Sequence, residues 1–354
     1  MKVLIIENGY RDLVNSRYPL SEFFVSKGHS VSYACPAPPV NSGIYDLNVS
    51  RNKLSPFSLI KVIRNLIRIE NKENIDTVLS FRLTSNILNY FSSFVGNKKN
   101  RVAVITGLGY AFVYSSYKYK LLKFIISSFY KIAEKRIKII AQNPDDLLDL
   151  GLRKGRVIFG SGITKPTIFI NKKTDSKHLK LLYVGRLLKS KGVKHAINTY
   201  KEVRKFNDNT KLIIAGSIDS DNPDSISISY LDEIKKIEGV DYLNHVDNMQ
   251  EVYLNSDILL FPSIYREGVP RAIIESLSFG LTIVTTNMPG CKETIFNNGI
   301  CINNNFVVEA TKYIISLSTK NIEDNSMESL KLFNNKFSKE LIFPQYFDAI
   351  SIKN

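Results

Sequence analysis

The sequence predicts two doubly wound α/β domains that face each other across a cleft, and three observations support this fold class. The chain has 354 residues, which suits two domains of roughly 150–200 residues each. Short apolar runs alternate with helical patterns from the N-terminus onwards, as in parallel sheets that are covered by helices. The alternation starts again near residue 179, after a segment rich in Gly, Pro and polar residues.

The elements of the first half follow from short apolar runs and helical spacing. The run at residues 2–6 is typical of a buried parallel strand. A helical pattern over 20–27 ends at Gly28, a natural C-cap. By the same criteria we predict strands at 31–35, 76–80 and 101–106, and helices over 57–70 and 117–140.

The second half repeats this organisation. We predict strands at 179–184, 211–215, 258–261 and 280–285, and helices over 192–205, 228–237, 269–278 and after 305. The predicted domains are 1–162 and 179–340, with a linker at 163–178 and a tail, 341–354, as a candidate to return to the first domain.

The amino-acid composition favours some classes of binding partner over others. The 48 Lys and Arg residues exceed the 33 Asp and Glu residues, which gives a net charge of +15. This excess favours a polyanionic partner: nucleic acid, a phosphorylated ligand or an anionic lipid surface. The sequence has no zinc finger or RNA-reading motif, so charge alone does not indicate nucleic acid. Genome base composition is an alternative source of the many Lys, Asn and Ile residues.

Neither a disulfide framework nor a membrane span is predicted. The three cysteines are few and irregularly spaced, which favours reduced thiols over a disulfide or zinc site. No run approaches the roughly 18 uninterrupted apolar residues that a membrane span requires, and the apolar run near the N-terminus is too short for a signal peptide. We therefore expect a cytoplasmic location.

Two segments of the second half carry the candidate chemistry. In the first, Arg186 and Lys191 lie in a turn between a predicted strand and helix, where two cations suit a diphosphate; a solvated basic loop is the alternative. In the second, Glu267 precedes Gly268 in a loop, and Glu275 lies on the helix that follows. The N-terminus of such a helix favours an anion, and a carboxylate on it can accept from both hydroxyls of a ribose.

These residues resemble a known family. Glu267 and Glu275 are spaced like the E-x7-E signature of family 4 of the retaining nucleotide-sugar glycosyltransferases, which have the GT-B fold of two Rossmann-like domains facing a central cleft. Gly185-Arg186 with Lys191-Gly192 resembles that family's diphosphate-binding pair. Further segments resemble a subgroup that extends polyprenyl-diphosphate-linked O-antigen and capsule oligosaccharides, often from UDP-sugars: 15–20, 106–112, 142–146, 160–162 and 289–293.

The resemblance implies a role for each matching residue. Arg186 and Lys191 would bind the donor diphosphate and stabilise the departing UDP, and Glu267 would contact the transferred sugar. Glu275 would hold the ribose, and other donor contacts would come from Gly185, Gly268 and Val269. Acceptor-side candidates are Arg17, Gly107 and Gly109, although the loop at 7–10 keeps only one of the glycines common in the family.

The implied reaction retains the anomeric configuration by a front-face route, with no metal and no cofactor. Asp219-Ser220-Asp221 has a D-x-D pattern, but we interpret it as the start of a polar loop rather than a metal site.

The expected partners are a nucleotide-sugar and a lipid-linked acceptor, without nucleic acid. The basic, apolar helices at 59–70 and 117–140 either pack on the sheet or contact anionic lipid, and different faces allow both. The expected location is thus peripheral, on the inner face of the plasma membrane.

Other function classes remain as alternatives at this stage. A nicotinamide-dependent oxidoreductase would need G-x-G-x-x-G after the first strand, which the sequence lacks. A sugar-nucleotide epimerase can share the architecture, but not the E-x7-E pattern beside the Arg/Lys pair. A non-catalytic lipid- or polysaccharide-binding protein would explain the charge without either motif.

Overall fold

The computed structural model describes residues 1–48, 56–95, 100–167, 176–220 and 222–351. The chain divides into two compact units, Met1–Gly162 with Lys339–Asn354, and Ile163–Ser338. Each unit is built on a parallel sheet. The predicted class of two doubly wound α/β domains is therefore confirmed.

The sheet of the first unit has the order β3-β2-β1-β4-β5-β6-β7 among the described residues. The first three strands lie on one side of the β1/β4 boundary and the last four on the other. The strand order reverses at this boundary, which makes it the point where ligands bind in open α/β sheets. The strands are β1 (Lys2–Ile6), β2 (Ser30–Cys35), β3 (Tyr45–Asp46), β4 (Thr77–Phe81), β5 (Asn100–Ile105), β6 (Lys138–Ala141) and β7 (Arg156–Val157).

Helices cover both faces of this sheet. Val3 and Ile5 pack on one face with Phe24, while Leu4 and Ile6 pack on the other with Leu66. A π-helical turn at Leu13–Arg17 joins the first two helices. The helices are α1 (Tyr10–Asp12), α2 (Tyr18–Ser26), α3 (Pro56–Lys72), α4 (Leu83–Ser92), α5 (Tyr117–Ala133) and α6 (Pro144–Leu150).

The predicted helix over 117–140 is wrong at its C-terminal end. The helix ends at Ala133, and Lys138–Ala141 is a strand that pairs with β5. The run Ile139-Ile140 is β-branched and buried in the sheet, so strand packing outweighs the helical spacing that precedes it.

The second sheet has the order β10-β9-β8-β11-β12-β13 among the described residues. Its central strand pair is β8 with β11, and Leu182 is in register with Leu259. The strands predicted at 211–215 and 258–261 are confirmed residue for residue. The strands are β8 (Lys180–Val184), β9 (Lys211–Ala215), β10 (Val240–Asn244), β11 (Ile258–Phe261), β12 (Thr282–Thr286) and β13 (Gly299–Ile302).

The helices of the second unit also lie on both faces of its sheet. Buried residues of α7 and α11 share one core cluster with β8 and β9, while α10 and α12 contact each other and β12. The helices are α7 (Val193–Arg204), α8 (Ile228–Lys235), α9 (Gln250–Leu254), α10 (Arg271–Ser278), α11 (Phe306–Ser316) and α12 (Thr319–Leu332).

The last helix, α13 (Lys339–Ser351), packs on the first unit. The Tyr346 hydroxyl donates to the Gly160 carbonyl at 2.9 Å, and the Asn100 amide donates to the Ile350 carbonyl at 2.5 Å. The chain thus re-enters its first unit after completing the second. Half of the predicted linker, residues 168–175, lies outside the described part of the chain.

Candidate active site

The candidate site starts at the carboxyl end of β8, where the chain turns towards α7. This turn carries Arg186, and the Tyr183 hydroxyl donates to the Arg186 carbonyl at 3.1 Å. Burial raises the pKa of Tyr183, and the nearby Glu267 carboxylate raises that pKa further. The phenol therefore stays protonated and holds the turn in place.

The polar loop predicted near 218–227 supports this turn. Asp224 accepts from the Ser190 backbone N–H at 3.0 Å and from its hydroxyl at 2.5 Å. Asp219 accepts from Arg186 Nη1 at 2.8 Å, which gives this aspartate an ion-pair partner. The second aspartate of the D-x-D pattern, at position 221, lies outside the described residues. Among the residues described, no three His, Cys, Asp or Glu side chains form a metal-binding group.

Lys191 and Glu267, 76 residues apart in sequence, are in direct contact in the structure. The Lys191 ammonium donates to Glu267 Oε1, and both side chains are largely buried, with 13% and 19% exposed. The Ser263 hydroxyl also donates to Glu267 Oε1, at 3.5 Å. The Lys191 ammonium lies 5.3 Å from the centre of the Tyr265 ring, which adds a cation–π contact. Two of the predicted catalytic residues thus form one partly buried ion pair.

Two glycines allow the loops of the site to approach closely. Gly192 has φ 76°, and a Cβ there would lie 2.2 Å from the Pro262 carbonyl oxygen. Gly290 has φ 87°, and a Cβ there would lie 1.9 Å from the Gly268 carbonyl oxygen. Because any side chain would collide with backbone, these positions keep the Glu267 loop against its neighbours.

The helix predicted to begin at Val269 begins instead at Arg271, with Pro270 as its N-cap. Proline lacks an N–H and favours a helix boundary. Gly268 and the buried Val269 therefore precede the helix, and their backbone amides belong to the loop that carries Glu267.

Glu275 is held by two side chains that the sequence analysis did not identify. The Tyr253 hydroxyl donates to Glu275 Oε2 at 2.8 Å, and Arg271 Nε donates to Oε1 at 2.7 Å. Burial raises the pKa of Tyr253 well above its usual value, and Glu275 adds to the shift. Tyr253 is therefore a permanent donor that orients the carboxylate.

Glu275→Ala is expected to weaken UDP binding roughly tenfold or more, because hydrogen bonds to a charged group contribute about 1.5–3 kcal/mol. Titration calorimetry with UDP measures this change. Glu251→Ala, an exposed acid on α9, is the matched control and should bind UDP normally. A folded Glu275→Ala protein that binds UDP with wild-type affinity would show that Glu275 does not hold the ribose.

Asp219→Asn is expected to tighten UDP binding about two- to fivefold, since an exposed ion pair is worth up to about 1 kcal/mol. For Arg186 to bind a diphosphate as predicted, its ion pair with Asp219 must open or be shared. The same titration tests this expectation, and weaker binding by the variant would show that Asp219 assists the ligand instead.

The acceptor-side candidates belong to the first unit. Arg17 is buried, and its Nε donates to the fully buried Glu7 at 2.9 Å. Its guanidinium also lies 3.7 Å from the centre of the Phe81 ring. Because the Arg17 side chain is only 4% exposed, an anion contact would require the surrounding residues to move. Gly107 and Gly109 follow β5 and are partly exposed.

Arg82 is a charged residue of this region that the sequence analysis missed. It follows β4 with φ 71°, and it contacts Asp12 at 2.8 Å and Glu7 at 3.4 Å. A left-handed arginine is uncommon and concentrates at functional sites. Its position after β4 places it at the β1/β4 boundary of the sheet.

Comparison with known proteins identifies the second unit. Residues 164–331 match the family described as glycosyl transferases group 1. The chain is a glycosyltransferase with a group 1 domain. All the predicted donor-side residues of this glycosyltransferase lie within the matched range.

Two bacterial proteins are similar over most of their length. One is the N,N'-diacetylbacillosaminyl-diphospho-undecaprenol alpha-1,3-N-acetylgalactosaminyltransferase of Campylobacter jejuni, 24% identical over 84% of this chain and 83% of its own. The other is the capsular polysaccharide biosynthesis glycosyltransferase CapM of Staphylococcus aureus, 26% identical over 83% of this chain and 81% of its own. These similarities favour a transferase over the epimerase and the non-catalytic alternatives.

A solved structure supports the fold of the glycosyltransferase. HepE from Anabaena, crystallised in complex with UDP-glucose, superposes with a TM-score of 0.74 and 13% identity over 99% of each chain. The predicted GT-B fold is confirmed.

Proposed function

We propose that this glycosyltransferase moves a hexose or N-acetylhexosamine from a UDP-sugar to a lipid-linked glycan acceptor during bacterial surface polysaccharide synthesis, with retention of configuration. The observation that carries the proposal is the contact between Lys191 and Glu267 inside a group 1 domain. The names of the Campylobacter jejuni and Staphylococcus aureus relatives support the acceptor class and the pathway.

The two cations would stabilise the leaving group. As the bond between the anomeric carbon and the β-phosphate oxygen breaks, negative charge grows on UDP, and Arg186 and Lys191 are placed to offset it. An ammonium has three donors and a guanidinium has five. Lys191 can therefore keep its bond to Glu267 while it contacts a phosphate oxygen, and Arg186 can exchange Asp219 for phosphate.

Glu267 would position the sugar rather than attack it. Its carboxylate already accepts from Lys191 and Ser263, which lowers its strength as a nucleophile. In a front-face reaction the acceptor oxygen bonds to the anomeric carbon from the side of the departing UDP. The acceptor proton then passes to the phosphate oxygen that has just been released, so no protein base is needed.

No metal or cofactor has a part in this proposal. The donor diphosphate would be neutralised by Arg186 and Lys191, which between them supply two positive charges. Transfer that is unchanged by EDTA would support this expectation, and transfer that requires a divalent ion would contradict it.

A donor panel with a polyprenyl-diphosphate-linked acceptor tests the proposed function. We expect UDP release to depend on the acceptor, and NMR of the product to show the anomeric configuration of the donor. Transfer from a GDP- or ADP-sugar would change the donor class, and an inverted product would contradict the front-face route. Epimerisation of the UDP-sugar without transfer would favour the alternative function, a sugar-nucleotide epimerase.

A further inference from the structure

Helix α5 has two apolar faces, and among the residues that the structure describes only one of them packs in a core. Ile126, Tyr130 and Ala133 are buried in a core cluster with β5 and β6. A second apolar row runs along the helix at spacings of three, four and seven residues. This row, the α5 stripe, has side chains that are 51–84% exposed: Tyr117, Leu121, Phe124, Ile125 and Ile132.

Helix α3, which packs on the same sheet, is a suitable comparison for α5. It has the same length of 17 residues and a similar mixture of basic and apolar side chains. Its apolar residues Val62, Leu66 and Ile69 are buried, and among its described apolar side chains only Ile60 is exposed, at 49%. Packing on a sheet therefore does not account for the second apolar row of α5.

All the charged side chains within α5 are positive. Within α5 the sequence has Lys118, Lys120, Lys123 and Lys131 and no acidic residue, and these lysines are exposed. No helix in the described part of the chain is long and apolar enough to cross a membrane. An exposed apolar row flanked by cations is typical of a helix that lies in the plane of an anionic bilayer.

We propose that the α5 stripe docks the glycosyltransferase on an anionic lipid bilayer. The apolar side chains enter the boundary between headgroups and acyl chains, and the lysines extend to lipid phosphates with their stems along the apolar layer. Charge complementarity favours lipid over a second copy of this chain, because two α5 stripes in contact would bring their lysines together. The inference deepens the proposed function, on which it rests, by naming the surface that meets the membrane of a lipid-linked acceptor.

Co-sedimentation with phosphatidylcholine vesicles, with and without phosphatidylglycerol, tests this docking surface. We expect wild-type protein to bind only the anionic vesicles, and added salt to weaken the binding. Two double variants should each bind at least about tenfold more weakly: Leu121→Ser/Phe124→Ser and Lys118→Gln/Lys120→Gln. The first removes apolar contacts with the bilayer, and the second removes positive charges that face the lipid phosphates.

Matched substitutions on the second unit serve as controls. Phe206 is 69% exposed, close to the 68% of Phe124, and Lys201 and Lys236 are exposed lysines. Phe206→Ser and Lys201→Gln/Lys236→Gln should bind vesicles like wild type. Equal binding by the α5 and control variants, or no wild-type binding to anionic vesicles, would overturn the inference. Self-association that Phe124→Ser abolishes, without vesicle binding, would assign the stripe to a dimer instead.

Failure of this inference can be separated from failure of the proposed function. Vesicle binding needs neither donor nor acceptor, and transfer to a water-soluble, short-chain acceptor needs no membrane. The α5 variants should keep wild-type transfer to the soluble acceptor and wild-type thermal stability. Loss of transfer to that acceptor would place α5 in the reaction and contradict a docking role.

Discussion

Lys191→Ala is expected to lower kcat roughly 10²-fold or more, because it removes a cation whose interaction with the departing diphosphate grows in the transition state. It also leaves Glu267 without its ion-pair partner in a site where both side chains are mostly buried. Steady-state kinetics with the UDP-sugar measures the loss. The decrease should appear in kcat more than in KM, since ground-state contacts of Arg186 remain.

Lys189→Ala is the matched control for this variant. Lys189 lies in the same turn but is exposed, and the structure uses its backbone N–H, which donates to the Asp224 carbonyl at 2.8 Å. We expect its kinetics to stay near wild type. Similar losses for Lys189→Ala and Lys191→Ala would mean that the turn needs positive charge in general rather than the ammonium beside Glu267.

Arg17→Met is expected to lower the free energy of unfolding by about 3 kcal/mol, because it leaves the buried Glu7 carboxylate without its closest cation. Among the described residues, the exposed Arg82, at 3.4 Å, is then the one cation paired with Glu7. For a unit of this size the melting temperature should fall by roughly 6–12 °C, which differential scanning fluorimetry measures.

The comparison with Arg153→Met separates structural from binding roles. Arg153 is an exposed arginine of the same unit, and its replacement should leave the melting temperature unchanged. UDP affinity should be normal in both variants, since the predicted donor residues lie in the second unit. Wild-type stability of Arg17→Met would contradict the buried ion pair and return Arg17 to the role of an exposed anion contact.

The sheets could be predicted from sequence because their central strands are continuous apolar runs. The strands β9 and β11 are predicted with their observed bounds, since each is short, mostly apolar and followed directly by Gly216 or Pro262. Edge strands such as β10 carry a polar, partly exposed sequence, Val240–Asn244, that has no comparable signal. The end of α5 was misplaced because periodicity alone does not separate a helical run from the buried strand that follows it.

The candidate site also contains residues that the sequence could indicate and residues that it could not. Lys191 and Glu267 belong to local motifs, so the sequence could point to both and the structure brings them together. Tyr253 and Asp224 act through contacts with residues 22 and 34 positions away, and their local sequence has no feature of a site. Burial of Arg17 could not be inferred either, because it depends on Glu7, which follows β1, and Phe81 of β4 meeting at one side chain.

The most direct test of the donor site is a thermal-shift titration of the purified protein with UDP, GDP and ADP, with and without EDTA. A ligand at a hundred times its Kd adds about 2.7 kcal/mol to the stability of the state that binds it, or roughly 5–11 °C for a unit of this size. We expect a shift of this order with UDP, unchanged by EDTA and much reduced in Lys191→Ala but not in Lys189→Ala. Absence of a UDP response in wild-type protein, or an equal response in Lys191→Ala, would contradict a UDP-sugar site built on Lys191 and Glu267.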